Sequence, residues 1–365
     1  MNILFIINSF SLGGAEKLVY DLALQLCSQV NHISIIGLYK NDLPVEAQMR
    51  GKLNKSGIKT YILDKRAKKD RLKSVWQIYK IIKQDKISIV HAHCGVPMLL
   101  GKLAGLLAHV PVVCTVHSTR DYSAKQERLS SWMSRSYVAI GQAAERYMTQ
   151  QLHIPAKRIT RIYNAVDTNL FRPKPKKPDF WKSYGGQSGD ISLIHVGRVH
   201  EAKNQLCMLR ALNNLKKQGL TNYKLYIIGP YEQEDSVYKE IIKFIADNEL
   251  KKQVYLLGPK EDVSAFLINA DCFLMTSRYE GLSLAFLEAV ISGLPVITTD
   301  LEFVQNLNRI VPCAIIIPPD DAGALADVLK NKTFLTLTPP RELFAKQFSI
   351  ETCAQKHLEL YRKCL

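Results

Sequence analysis

Short apolar runs alternate with longer amphipathic segments along most of the chain. In the first half, the apolar runs that predict buried strands are 2–7, 32–38, 58–63, 87–90 and 112–116. The segments between them, such as 15–26 and 72–83, have the apolar spacing of helices that bury one face. Parallel strands need helical crossovers of this kind, so the pattern predicts βαβ units and a parallel sheet.

A proline-rich segment interrupts this pattern after Phe171. Prolines 173, 175 and 178 fall within six positions and exclude a helix or a central strand there. The alternation restarts with apolar runs at 191–196, 224–228, 254–257, 272–275 and 295–298.

The fold class predicted from this pattern is α/β, with two Rossmann-like domains facing a cleft. The first covers 1–172, a Pro/Lys-rich linker covers 173–190, and the second covers 191–349. Residues 350–365 have helical spacing and predict a closing helix, whose return to the first domain the sequence leaves open.

Composition narrows the class of protein. Hydrophobic residues make up 47% and charged residues 22%, which excludes disordered, collagenous and coiled-coil chains. The first residues lack a signal-peptide pattern, and the apolar segment 96–116 is interrupted by Lys102, His109 and Pro111, so we expect a cytoplasmic protein without a membrane span. The eight cysteines form no Cys-x-x-Cys motif and predict free thiols.

Two strand-to-helix loops carry features that favour anions. Gly13 and Gly14 let the backbone approach a ligand at a helix start, although an ordinary tight turn would use them too. Arg198 and Lys203 follow a strand in the second domain, where they could neutralise a diphosphate or simply be solvated surface cations. The Gly-x-Gly-x-x-Gly and P-loop patterns are absent, which disfavours nicotinamide and ATP chemistry.

Carboxylates and histidines complete the candidate chemistry. We expect Glu280 at a helix start and Glu288 roughly 12 Å further along that helix, so that they contact two parts of one extended ligand. Glu288 has apolar neighbours and is either buried with polar partners or solvated. His91 and His93 share a strand face without an evident third metal ligand. His117 follows a strand and is either a ligand contact or a structural histidine.

The order and spacing of these motifs resemble the retaining glycosyltransferases of family four, of the bacterial surface-glycan type and with the GT-B architecture, over nearly the whole chain. The segments that carry the resemblance are Glu280-x7-Glu288 with Gly293-x-Pro295-Val296, Gly197-Arg198 with Lys203, Gly13-Gly14-x-Glu16, Thr115-Val116-His117 and Asn164-Ala165-Val166-Asp167. Residues 140–142 depart from the Ser-Glu pair that the family often has, which puts contacts from that loop in doubt.

The resemblance implies roles for individual residues. Arg198 and Lys203 would hold the donor diphosphate, Glu280 the transferred sugar, Glu288 the ribose, and His117 would lie beside the reacting sugar. The implied nucleotide-sugar-binding residues are Gly13, Gly14, Arg198, Lys203, Glu280, Gly281, Leu282, Ser283, Leu284 and Glu288, and the catalytic candidates are His117, Arg198, Lys203 and Glu280.

The implied reaction is transfer of a sugar, with retained anomeric configuration, from a nucleotide-diphosphate donor to a lipid-linked or cell-surface glycan. UDP is favoured over GDP because it is the common donor in the family. No Asp-x-Asp occurs, so we expect no divalent metal requirement. We also expect no cofactor. The alternatives are a sugar-nucleotide epimerase of the same architecture and a catalytically silent sugar-nucleotide-binding partner.

Positive charge is concentrated in one stretch. The chain has a net charge of +16, and Arg50 to Lys86 contains thirteen Lys or Arg against three Asp, a net charge of +10. We expect this stretch to rest on an anionic membrane, which would make the protein peripheral at the inner face of the plasma membrane. A solvated helix face is the alternative, whereas nucleic acid is disfavoured because no aromatic-rich recognition motif accompanies the charge.

Overall fold

The computed structural model describes residues 1–11, 13–42, 44–66, 69–117 and 123–365. The chain forms two compact units. The first contains 1–166 and 348–365, and the second contains 167–347.

The first unit is built on a parallel sheet. In the described residues its strands are β1 (Asn2–Ile7), β2 (His32–Gly37), β3 (Lys59–Ile62), β4 (Ile89–His93), β5 (Val112–Val116), β6 (Ser136–Ala139) and β7 (Ile159–Arg161). Their order is β3-β2-β1-β4-β5-β6-β7. Every residue of β4 and β5 is buried, as expected for central strands covered by helices on both faces.

The helices of the first half follow the strands in alternation. They are α1 (Gly14–Leu26), α2 (Pro44–Lys55), α3 (Arg71–Gln84), α4 (Gly95–Ala108), α5 (Ala124–Ser130) and α6 (Gln142–Arg146). The apolar segment 96–116 is α4 followed by the buried strand β5, as its polar interruptions predict. Within the described ranges, no helix is long and apolar enough to cross a membrane.

The second unit repeats this plan. Where the chain is described, its strands are β8 (Ile191–Val196), β9 (Tyr223–Ile228), β10 (Val254–Gly258), β11 (Cys272–Met275), β12 (Val296–Thr299) and β13 (Ile315–Ile317), in the order β10-β9-β8-β11-β12-β13. Its helices are α7 (Gln205–Lys217), α8 (Ser236–Asp247), α9 (Val263–Asn269), α10 (Leu284–Ile291), α11 (Glu302–Asn308), α12 (Ala322–Lys330) and α13 (Arg341–Phe348).

The segment 173–190, expected to be a linker, belongs to the second unit. Its prolines do exclude helix and strand up to residue 178, but residues Phe180–Tyr184 form a 3₁₀ helix. Trp181 of that helix stacks on Tyr226 with ring centres 3.9 Å apart and donates from Nε1 to the carbonyl of Asn269. Burial of these aromatic rings, which composition alone does not reveal, attaches the segment to the sheet.

The closing helix is α14 (Ile350–Cys364), and it returns to the first unit. Ser349 caps its N-terminus by accepting from Thr352 N. Val166, where the chain leaves the first unit, pairs with Phe348 and Ile350, where it re-enters. Leu358 and Tyr361 of α14 are buried in the core around β1 and α1.

Strand order locates the candidate chemistry in each sheet. Successive strands are added towards one edge of the sheet and then towards the other, and the order changes between β1 and β4 in the first unit and between β8 and β11 in the second. Loops diverge at such switch points beyond the carboxyl ends of the strands, and ligands of open α/β sheets bind there. The loops after β1, β8 and β11 carry the glycines, cations and Glu280 that the sequence singles out.

Candidate active site

The loops after β8 and β11 are tied together by hydrogen bonds. Arg278 N donates to the carbonyl of Ala202 at 2.9 Å. Thr276 Oγ1 lies 3.2 Å from the carbonyl oxygen of Lys203 and 2.9 Å from that of Asn204, and donates to them. The two loops therefore form one surface at the switch point of the second sheet.

Lys203 and Glu280 meet on this surface. Lys203 Nζ forms an ion pair with Glu280 Oε1, and the Ser277 hydroxyl donates to the same oxygen at 2.9 Å. Their side chains are 26% and 14% exposed, so both groups can still be reached from solvent. Thr299 at the end of β12 donates to the Ser277 carbonyl at 2.6 Å and fixes the loop from the other side.

The side chain of Arg198 is exposed, but its backbone is fixed by a hydrogen bond from a buried side chain. Gln205 Nε2 donates to the Arg198 carbonyl at 2.9 Å and lies 3.2 Å from His195 Nε2. His195 Nδ1 lies 2.9 Å from the Leu274 carbonyl, which can only accept, so Nδ1 carries the proton and Nε2 accepts from Gln205. Burial lowers the pKa of His195 to about 4, which keeps the ring neutral in this role.

The backbones of the loops after β8 and β9 are in direct contact at Gly197 and Gly229. Gly229 has φ +146°, and a Cβ at this position would lie 2.2 Å from the Gly197 carbonyl oxygen. A larger residue at 229 would therefore push the segment that carries Arg198 out of place.

The helix after Glu280 begins later than the sequence predicts. Residues 276–283 form a loop, and α10 starts at Leu284 because the Ser283 hydroxyl caps it by accepting from Phe286 N. Glu280 and Glu288 therefore do not lie on one continuous helix, which is the condition on which the estimate of roughly 12 Å rested. Glu288 is buried on α10, Leu282 is buried, Gly281 is exposed, and Ser283 and Leu284 form the helix start.

In the first unit, the loop that follows β1 leads to Gly13 and Gly14, where α1 begins. Gly13 is the N-cap, and a Cβ there would lie 2.3 Å from Glu16 Oε2. A larger residue at position 13 would therefore move the Glu16 carboxylate away from its position at the helix start. Leu12, which precedes Gly13, lies outside the described residues.

His117 follows β5 and is partly buried. Its Nε2 lies 2.9 Å from Nδ1 of His93, the last residue of β4. Burial lowers the pKa of His117 to about 4, so the ring is neutral at pH 7. In the part of the chain that is described, no group of three or more His, Cys, Asp or Glu side chains is arranged to hold a metal ion.

Some residues of the site have no sequence signal. Thr276 donates to the carbonyls of Lys203 and Asn204, which come close to it only when β8 pairs with β11. Ser277 and Gln205 instead bond to groups of their own strand-to-helix segments. The rings of His93 and His91 do lie together on one face of β4, but the hydrogen bond of His93 is with His117, directly after the neighbouring strand β5. Knowledge of the strand order would have predicted this neighbourhood, because β4 and β5 are adjacent.

Comparison with known proteins agrees with this architecture. Residues 12–170 match the family model described as "Glycosyltransferase Family 4", and residues 190–331 match that described as "Glycosyl transferases group 1". The chain is 28% identical over 311 residues to the putative glycosyltransferase EpsF of Bacillus subtilis, covering 82% of this chain and 79% of that protein.

A second relative and a solved structure extend the comparison. The chain is 30% identical over 244 residues to the UDP-Gal:alpha-D-GlcNAc-diphosphoundecaprenol alpha-1,3-galactosyltransferase of Escherichia coli, covering 63% of this chain and 62% of that protein. The crystal structure of Anabaena HepE in complex with UDP-glucose superposes with a TM-score of 0.83 at 19% identity, over the full length of both chains. With one family model matching most of each unit, the chain belongs to the family-4-like glycosyltransferases with the GT-B fold.

Proposed function

We propose that this protein is a retaining, metal-independent glycosyltransferase that moves a sugar from a UDP-sugar to a lipid-linked diphosphate glycan. The observation that carries the proposal is the cation–carboxylate pair Lys203–Glu280 at the switch point of the second sheet, with Arg198 exposed on the same loop. This arrangement suits a ligand that has a diphosphate next to a sugar.

Lys203 can donate to the leaving diphosphate while it keeps its ion pair with Glu280. Its ammonium group has three N–H donors, of which the Glu280 carboxylate needs one, so others remain for phosphate oxygens. Arg198 adds a planar, bidentate donor for the same diphosphate. Cations placed where negative charge develops lower the barrier for departure of the diphosphate.

The remaining roles follow the family resemblance. Glu280 accepts from a hydroxyl of the transferred sugar, and Glu288 accepts from the ribose. Residues 281–284 offer backbone N–H groups at the start of α10 to the phosphates. Gly13, Gly14 and His117 of the first unit contact the sugar and phosphate.

The chemical step conserves configuration because attack and departure occur on one face. The acceptor hydroxyl oxygen forms a bond to the anomeric carbon while the bond from that carbon to the diphosphate oxygen breaks. The hydroxyl proton passes to the departing phosphate oxygen, and the sugar has oxocarbenium character between the two events. No protein carboxylate is needed as a nucleophile in this route.

The comparisons support the choice of donor and acceptor. The HepE structure contains UDP-glucose, and the name of the Escherichia coli relative specifies a UDP-sugar donor and a lipid-diphosphate acceptor. The absence of Asp-x-Asp supports metal independence. The same names, which describe transfer, disfavour an epimerase.

The test is an assay of the purified protein with a panel of UDP- and GDP-sugars and a synthetic lipid-diphosphate N-acetylglucosamine, with and without EDTA. We expect one UDP-sugar to give a product one sugar heavier by mass spectrometry, with the donor's anomeric configuration by NMR and unchanged yield in EDTA. An inverted linkage would contradict retention, and loss of yield in EDTA would contradict metal independence. Absence of transfer from every donor would refute the proposal.

We also propose that α3 holds the protein on an anionic membrane at the cytoplasmic face. Val75 and Ile82 are buried against the first unit, but Leu72 is 86% and Trp76 55% exposed. Lys80 Nζ lies 5.8 Å from the centre of the Trp76 ring, and Lys69, Arg71 and Lys73 are exposed at the helix start. Apolar side chains among cations suit insertion into the interface of an anionic bilayer.

Not all of the basic stretch takes part. Lys65 is 5% exposed and donates to the Arg66 carbonyl, Lys59 is paired with Asp85, and Lys68 lies outside the described residues. The surface available to a membrane is therefore centred on α3. Each cation near an anionic bilayer contributes about 1 kcal/mol, so four of them give reversible binding.

Liposome sedimentation tests the membrane proposal. We expect binding to anionic but not neutral vesicles, weakening as salt rises. The variant with Lys69, Arg71, Lys73 and Lys80 changed to Gln should lose most of the binding. A matched variant with exposed Lys217, Lys243, Lys251 and Lys330 of the second unit changed to Gln should keep it. Equal losses in the two variants, or equal binding to neutral vesicles, would contradict a role for α3.

A further inference from the structure

Four histidines cluster where β4, β5 and α14 meet. The rings of His91 and His93 on β4 lie 4.2 Å apart, and the ring of His357 on α14 lies 5.4 Å from that of His91. His117 contacts His93 through the 2.9 Å nitrogen pair. The proposed function uses His117 alone, so the role of the other rings is open.

His91 has partners on both ring nitrogens. Its Nδ1 lies 2.6 Å from the Tyr361 hydroxyl, and its Nε2 lies 2.7 Å from the Thr115 hydroxyl. His91 is therefore not available to bond the second nitrogen of its neighbour His93.

His93 is fully buried and bonded on one side only. Its Nδ1 meets His117, whereas its Nε2 has no hydrogen-bond partner among the described residues. Burial lowers the pKa of His93 well below its ordinary value and lowers that of His117 to about 4, so both rings are neutral at pH 7. A single proton then lies between the two facing nitrogens.

The two places for that proton are not equivalent. If His117 Nε2 donated, the proton of the His93 ring would sit on Nε2, as a buried N–H without an acceptor. If His93 Nδ1 donates, His93 Nε2 is only an acceptor without a donor. Buried N–H groups without a partner are the rarer of the two in folded proteins, so the second arrangement is favoured.

We propose that His93 is a positioning residue that donates from Nδ1 to His117 Nε2 and thereby holds His117 with its ring proton on Nδ1. A neutral histidine is a donor at one nitrogen and an acceptor at the other, so this bond fixes which atom of His117 can donate. The catalytic consequence rests on the proposed function, in which His117 contacts the reacting sugar. The tautomer itself does not depend on it.

The test combines NMR with kinetics. In protein labelled with ¹⁵N-histidine, the nitrogen shifts identify the protonated atom of each ring, and His117→Gln and His93→Asn assign the two rings. We expect the proton of His117 on Nδ1 in the unmodified protein. A proton on Nε2 would overturn the proposal whatever the activity.

Two substitutions at position 93 separate positioning from packing. His93→Leu removes the donor, and we expect His117 to lose its fixed tautomer and kcat to fall roughly 10- to 100-fold with the donor KM little changed. In His93→Asn the amide N–H replaces Nδ1–H, so tautomer and kcat should largely recover. An unchanged His117 tautomer in His93→Leu would overturn the proposal.

Two further outcomes are decisive as well. If His93→Leu does not fold, the spectra of the unmodified protein and His93→Asn decide between the two tautomers. If the protein proves inactive as a transferase but His117 carries its proton on Nδ1, the positioning bond stands and the proposed function fails.

Discussion

The two carboxylates of the second unit differ in their surroundings, and this difference separates their effects. Glu280 is partly exposed in a loop, where Lys203 and Ser277 hold it. Glu288 is 4% exposed on a helix whose other residues are almost all apolar. A carboxylate this deeply buried responds to a ligand only if the ligand supplies hydrogen-bond donors.

We predict that Glu280→Ala lowers kcat while the affinity for free UDP is maintained, because the proposed role of Glu280 is to contact the transferred sugar. Glu288→Ala should weaken binding of free UDP by roughly tenfold or more, since it removes the buried carboxylate proposed to accept from a ribose hydroxyl. Calorimetric titration of UDP and steady-state kinetics measure the two effects. Glu302→Ala, an exposed carboxylate of α11, is the control. Unchanged UDP affinity in Glu288→Ala would contradict the ribose contact.

The sequence predicted which residues lie in the loops of the candidate site better than it predicted the geometry of those loops. Arg198, Lys203 and Glu280 do lie in loops after strands, because apolar runs ending in polar residues are visible in the sequence. The predicted start of the helix was wrong. The sequence allows a start near Glu280 or after a Ser283 cap, and it does not show which of the two forms; the structure has the Ser283 cap. Supporting hydrogen bonds such as those of Thr276 to the carbonyls of Lys203 and Asn204 depend on tertiary contacts and could not be predicted.

At the scale of elements, most strands were predicted, including the edge strands β3 and β10, whereas β6, β7 and β13 were not. The apolar runs at 2–7, 112–116, 191–196 and 272–275 are β1, β5, β8 and β11 with the predicted bounds. β6, β7 and β13 were missed because short strands near a sheet edge, such as Ile-Thr-Arg in β7, lack a continuous apolar pattern. The strands that carry the candidate chemistry belong to the first group.

The four histidines where β4, β5 and α14 meet predict that the folded state loses stability in acid. Burial lowers the pKa values of His117 and His357 to about 4, and lowers those of His91 and His93 well below 6.5. Below pH 6.5 the unfolded chain binds protons that the folded state excludes. Stability is therefore complete above pH 6.5 and falls towards pH 4, by about 1.4 kcal/mol per pH unit for each such histidine.

We predict that His357→Gln makes this fall shallower by about 1.4 kcal/mol per pH unit, because the amide does not titrate. The measurement is the free energy of unfolding by denaturant between pH 6.5 and 4.5. The same substitution at exposed His153 is the matched control and should leave the slope unchanged. Identical slopes in unmodified protein and His357→Gln would show that His357 is not held neutral.

At the scale of the whole molecule, the chain leaves the first unit at Val166 and returns through α14. The prolines predicted a domain boundary after residue 172, but the units are defined by which side chains are buried together. The stacking of Trp181 on Tyr226 attaches its segment to the second unit, and burial of Leu358 attaches α14 to the first. The first unit therefore depends on the last fifteen or so residues of the chain, which are remote in sequence from its other strands.

We predict that Leu358→Ala destabilises the first unit by about 2–5 kcal/mol, because it leaves a cavity in the core shared with α1. Hydrogen exchange should show faster exchange in residues 2–26 and 89–116, with little change in 191–228. Leu343→Ala, a 43% exposed position on α13, is the control. An equal loss of protection in both units would contradict this division.

The central claim is that Arg198 and Lys203 hold the donor diphosphate as it leaves. The most direct measurement is the turnover of UDP-sugar by Arg198→Ala and Lys203→Ala, beside Lys217→Ala as an exposed cation of the same unit. Arg198→Ala is the cleaner change, because the side chain is exposed and its loss should leave the melting temperature unaltered. We predict kcat roughly 100- to 1,000-fold lower in each, with Lys217→Ala unchanged. Near-normal turnover in both Arg198→Ala and Lys203→Ala would contradict the account.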